Sequence, residues 1–113
     1  MLIIKPAERP LKDNPHGVDV RGLFRGERAQ VSLVSLQPGE RLRLHRTPVD
    51  ALFYLLEGRG VVTVGVEEAE VDAEALVDSP AGLPHTWRNT GDGPLRILVL
   101  KTPPQSEPTE LLE

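Results

Sequence analysis

The sequence predicts an all-β fold, and three observations carry that prediction. Apolar runs are short and rich in Val and Leu, Gly and Pro punctuate them about every ten residues, and no window shows a clear helical stripe. The expected strands are Leu2–Lys5, Val18–Phe24, Arg28–Gln37, Arg41–Arg46, Ala51–Leu56, Val61–Val66, Glu70–Val71, Ala75–Val77, His85–Asn89 and Leu95–Lys101. Turn signals stand between them: "QPGE", "EGRG", "SPAGLP" and "TGDGP". "RTP" marks a bend, because proline disfavours a ladder position. In "RLRLH", alternation assigns Leu42 and Leu44 to one face and Arg41, Arg43 and His45 to the other. In "HTWRN", His85, Trp87 and Asn89 share a face. The polar, proline-rich "TPPQSEPTELLE" reads as a tail or arm, with Leu111 and Leu112 as its docking point.

The chain has 113 residues, one domain's worth, which is enough to bury a core without staples. The domain is expected over 1–113, with its core over 18–101 and its tail over 102–113. Cysteine is absent, which removes disulfides, thiolate ligands and cysteine nucleophiles together. No segment resembles a secretory signal, and none approaches the ~20 apolar residues of a membrane span. The expectation is a cytoplasmic protein that does not engage a membrane. Net charge is −4 with Lys and Arg scattered, which gives no electrostatic footprint for nucleic acid. Ten arginines against three lysines, few Asn and Gln, and eleven prolines hint at a heat-adapted or GC-rich source. No Ser/His/Asp arrangement and no glycine-rich phosphate loop stands out.

Two segments hold the residues with chemical interest. In "GERLRLHRTPVDALFYLLEG", Gly39, five intervening residues, His45 and Gly58 stand in order, with Tyr54, Leu56 and Glu57 leading into Gly58. In "PAGLPHTWRN", Pro80, Gly82, His85 and Asn89 do the same. Together they resemble the two sequence motifs of the cupin superfamily, which implies a small jelly-roll β-barrel. The resemblance further implies a metal site built from two histidines and a glutamate of the first motif and one histidine of the second. Here Thr47 stands at the second histidine position, Ala51 at the glutamate position, and Glu74 at the glycine that opens the second motif. Two of the four ligand positions, His45 and His85, remain.

Three readings of that site stay open. His45 and His85 hold one divalent ion (Zn, Mn, Fe, Ni or Cu) with water completing its shell. Alternatively, Asp50 adds a carboxylate and completes a two-histidine, one-carboxylate triad, which requires a bulge or the bend after Pro48 to re-aim it. In the third, no metal is bound, and the histidines are partly buried polar residues lining a pocket. Arg43, Thr47, Ala51, Tyr54 and Trp87 are expected to line that pocket. Arg43, placed beside His45, would favour a carboxylate or phosphate ligand. His16, in "DNPHG", is expected to be exposed and has no assigned role.

The functions carried forward are a small-molecule-binding cupin, with an anionic ligand among the options, a metal-dependent isomerase or dioxygenase, and a ligand-sensing or structural cupin without metal. The resemblance also implies a homodimer, with "MLIIK" crossing to the partner.

Overall fold

The computed structural model describes all 113 residues. Ten strands form: β1 (Asp19–Arg25), β2 (Gln30–Leu36), β3 (His45–Arg46), β4 (Asp50–Glu57), β5 (Arg59–Val64), β6 (Glu67–Asp72), β7 (Leu76–Ser79), β8 (His85–Asn89), β9 (Leu95–Thr102) and β10 (Glu110–Leu111). They build two five-stranded antiparallel sheets. One runs β1-β2-β9-β4-β7 and the other β10-β3-β8-β5-β6. The jelly roll therefore consists of two facing sheets with a shared interior, not one continuously hydrogen-bonded cylinder.

Alternation along the long strands sets the interior. In β4, Ala51, Phe53 and Leu55 are buried while Leu52 and Tyr54 lie on the outer face. In β9, Leu95, Ile97 and Val99 point inward, as do Val34 and Leu36 of β2. The opposite sheet adds Val62 and Trp87 to the same cluster. Trp87 is fully buried and meets Phe53 edge-on, with ring centroids 5.6 Å apart.

Two motif residues fix backbone direction. Gly58 has φ +90°, and a Cβ there would run into the Pro94 carbonyl. Glu74, at the position of the second motif's opening glycine, takes φ +75° and is the one non-glycine residue in that region. The turn geometry has survived a substitution that makes it more costly.

Several expected elements differ. Leu2–Lys5 is not a strand. It leads into a short 3₁₀ turn at Pro6–Glu8, with Met1, Leu2 and Ile3 exposed and no ladder partner. The expected strand Arg41–Arg46 is interrupted. Leu42 N–H donates to the Trp87 carbonyl, but Arg43 N–H donates to a side chain, His16 Nδ1, at 2.9 Å. The ladder resumes only at His45–Arg46. That break reverses the expected faces: Leu42 and His45 are buried together, Arg41 is exposed, and Arg43 is half-buried. β6 begins three residues earlier than expected, because Gly65 (φ +63°) turns the chain tightly between Val64 and Glu67.

The C-terminal segment is not a free tail. It returns across the molecule so that β10 pairs with β3, Glu110 opposite Arg46 and Leu111 opposite His45. Glu113 then bonds the Arg41 guanidinium and the Leu44 N–H.

Candidate functional site

β3 and β8 pair through a single register position, His45 opposite His85. That pairing turns both imidazoles inward, and their Nε2 atoms lie 3.0 Å apart. His45 Nδ1 is 2.6 Å from the Arg43 carbonyl, which can only accept, so this nitrogen carries the proton. Its Nε2 is then a bare lone pair, and His85 Nε2–H donates to it. His85 Nδ1 in turn accepts from the Ser79 hydroxyl at 2.6 Å. The neutral ring pair thus has one consistent proton arrangement, running from Ser79 through His85 and His45 to the Arg43 carbonyl.

The third histidine joins this cluster, contrary to expectation. His16 packs against His45 with the rings tilted by 55° and centroids 4.7 Å apart, and its Nδ1 accepts the Arg43 N–H. Its neutral ring therefore carries the proton on Nε2. Asn14 forms the turn that delivers it: Asn14 Oδ1 accepts from His16 N–H, and Asn14 Nδ2 donates to the Val18 carbonyl. "DNPHG" carries the Asx-turn signal, but only the tertiary contact across 27 residues identifies a role for His16.

Burial keeps all three rings neutral. It lowers the pKa of His85 to about 3, with His45 as the next cause. It lowers His16 to about 4, with His45 and then Arg43 adding to the shift. His45 is also lowered, first by burial, while its bond to the Arg43 carbonyl opposes the shift.

The rings face a cavity of about 600 Å³. Thr47 and Ala51 line it, as two of the sequence-derived pocket residues. Thr47 Oγ1 donates to the Val49 carbonyl at 3.2 Å, which leaves its lone pairs free. Ala51 pairs with Lys101 across the sheet, so the small residue sits directly beside a half-buried amine in the cavity wall. Burial, then the ammonium of Lys12, lowers the Lys101 pKa to about 8. The C-terminal segment closes part of the mouth, with Gln105 Oε1 accepting from Lys101 Nζ at 2.6 Å.

The other expected site residues lie elsewhere. Asp50 is exposed, and its Oδ1 accepts from Ala81 N–H at 2.8 Å. The bend after Pro48 does not re-aim it, so the carboxylate secures the loop before β8 and takes no place beside the histidines. Arg43 points outward, where its guanidinium donates to the Glu113 carbonyl, because the strand break at this residue turns it away from His45. Tyr54 faces the outside of its sheet, opposite Leu76 and Leu98, as alternation with buried Phe53 and Leu55 requires. Trp87 does point inward, but it belongs to the packed core below the histidines and does not line the cavity.

The donor set fits a divalent ion only as a two-nitrogen anchor. A 3.0 Å separation matches neighbouring ligands on one ion at bond lengths of about 2.0–2.1 Å. His45 already has its Nδ1–H held by a carbonyl, the usual outer support of a metal-binding imidazole. His85 would shift its proton to Nδ1, and the Ser79 hydroxyl would rotate from donor to acceptor. His16 joins the cluster, but its Nδ1 is engaged by the Arg43 N–H, and no group of three or more His, Cys, Asp or Glu side chains is placed to hold a metal ion. The remaining positions would fall to water or ligand oxygen.

The relatives agree with this architecture. A Cupin domain model matches residues 32–101, spanning β2 to β9. The uncharacterized protein MJ1618 of Methanocaldococcus jannaschii is 33% identical over 93 residues, covering 80% of this chain and 74% of that one. The crystal structure of TT1209 from Thermus thermophilus is 36% identical with a TM-score of 0.74, covering 88% of this chain and 96% of that one. The polyketide cyclase RemF from Streptomyces resistomycificus superposes with a TM-score of 0.83 over 100% of this chain and 86% of its own, at 17% identity, a likeness of fold alone. With both motifs on turns and strands around one interior, and the family model covering those strands, the chain belongs to the cupin family.

Proposed function

We propose that the protein is a small-molecule-binding cupin whose ligand carries an anionic group. The observation that carries this reading is the interior cavity of about 600 Å³, with His45 and His85 in its wall and the Lys101 amine beside Ala51. That volume lies within the range of small-molecule sites. Three cations, Lys12, Arg25 and Lys101, line it against two carboxylates, Asp13 and Glu107. The neutral His16 ring adds an Nε2–H donor without adding charge. Lys101 takes the part the sequence suggested for Arg43, since a half-buried ammonium without a carboxylate partner favours an anion.

A second reading rests on the 3.0 Å Nε2 separation: His45 and His85 anchor one divalent ion. Such an ion would polarise a carbonyl or activate bound oxygen ligands, the chemistry of the isomerase and dioxygenase class.

Thermal shift and calorimetry on the full chain, with small mono- and dicarboxylates and separately with Zn, Mn, Fe, Ni and Cu, test both readings. A saturable rise in Tm with a carboxylate, lost in Lys101→Met, is expected from the first. Indifference to every carboxylate would remove it. A rise with a metal that vanishes in His45→Ala and His85→Ala supports the second, and indifference to all five metals removes that one.

A further inference from the structure

Lys101 has an environment that an anion anchor alone does not need. It lies on β9 between Gln30 of β2 and Ala51 of β4. Its amine lines the cavity, and its bonded partner is the neutral amide oxygen of Gln105. None of the chain's ion pairs involves it. Ala51 leaves open space beside it where a longer side chain would fill the wall. The charged and titratable groups facing the same cavity are Lys12, Asp13 and His16 from the segment before β1, Arg25 of β1, His45, His85, and Glu107 of the C-terminal segment. Of these, Lys12, Asp13, Arg25 and Glu107 are exposed, and Lys12 is the cation that weighs on Lys101.

Desolvation together with a neighbouring cation is the arrangement that makes a lysine amine nucleophilic near neutral pH. With its pKa lowered to about 8, about one Lys101 in ten is free amine at about pH 7, far more than for an exposed lysine.

We propose that Lys101 captures small oxo acids as an imine, with Lys12 holding the ligand carboxylate at the cavity mouth. The Nζ lone pair forms a bond to the carbonyl carbon while the carbonyl π pair moves to oxygen. One proton passes from nitrogen to that oxygen, giving a carbinolamine. The C–O bond then breaks, and the hydroxyl leaves as water with the second nitrogen proton. No oxidant or reductant enters. The neutral His16 ring, whose Nδ1 accepts the Arg43 N–H, can present its Nε2–H to the departing oxygen.

This inference rests on the reading that the cavity takes a small anionic molecule, so the experiment separates the two. The full chain is incubated with pyruvate and sodium cyanoborohydride, then measured by intact and peptide mass. One adduct per chain is expected, heavier by pyruvic acid less one oxygen atom, on the peptide that carries Lys101. Lys101→Arg and Lys101→Met, each checked for folding by circular dichroism, lose it. Lys12→Gln shifts the pH of half-maximal trapping upward. No adduct, or one spread evenly over Lys5, Lys12 and the N-terminal amine, overturns the proposal. If acetate and propionate raise Tm while pyruvate is not trapped, the anion cavity stands and the imine falls. If neither occurs, both fall.

Discussion

The same four strands build a dry end and a polar end of the molecule. In β8, Trp87 is fully buried in the core, while His85, two residues earlier on the same face, lines the cavity. In β9, Leu95 and Ile97 fill the core, and Lys101 stands in the cavity wall. In β4, Leu55 gives way to Ala51, and in β2 Leu36 gives way to Ser32. At one end bulky side chains interdigitate and exclude water. At the other, small and polar ones leave room. The fold is held by the first set, and the second is free to carry chemistry. That division explains how Thr47 and Ala51 can replace the family's usual ligands without disturbing the pleat.

Trp87→Ala gives the largest expected effect on this contrast. It should cost about 3–5 kcal/mol by urea denaturation, because it empties the centre of the dry end. Lys101→Met should instead raise the denaturation midpoint, since it removes an uncompensated cation and keeps the side chain's volume. A comparable loss in both variants would show that the polar end is structural too.

The pH dependence comes next. His85 and His16 titrate from about 3 and about 4 when folded, against 6.5 when unfolded. The unfolded chain therefore binds more protons in that interval. Stability is full above pH 6.5 and falls as pH drops through the window towards about 3. His85→Gln removes one of these groups and should flatten the decline between pH 6.5 and about 4. Denaturation midpoints measured across that range check it, and an unchanged slope would mean the ring is protonated at little cost.

The smallest effect concerns neither end. Glu74→Gly should stabilise the protein by about 1 kcal/mol, because glycine reaches φ +75° without the steric cost of a Cβ. A measurable loss would show that the Glu74 side chain makes a contribution larger than its strain.

Much of the β framework is legible in the sequence because its signals are local. Short apolar runs between turn signals locate β2, β4 and β9, alternation puts His85, Trp87 and Asn89 of β8 on one face, and Gly58 and Gly82 mark turns with positive φ. The histidine pair is legible through motif spacing. What fails does so for identifiable reasons. Alternation puts Arg43 beside His45 because it assumes an unbroken ladder, and the ladder breaks where His16 takes the Arg43 N–H. Motif position puts Tyr54 in the pocket, although its neighbours Phe53 and Leu55 already occupy the inward face. Leu111 and Leu112 mark the C-terminal segment's docking point, but its pairing with β3 is not legible, because a two-residue strand has no periodicity and its partner lies far away in sequence.

The sequence by itself determined an all-β cupin chain, the turns that close it, and the addresses of His45 and His85. These depend on backbone conformations and alternations that a few adjacent residues impose. Only the tertiary structure decided that His16 and Lys101 join the cavity, that Asp50 and Arg43 leave it, and that the C-terminal segment closes over it. Those outcomes depend on which strands become neighbours, and a side chain's surroundings are set by residues far away in sequence. The imidazoles stay neutral, and the amine keeps its low pKa, because distant segments exclude water from around them.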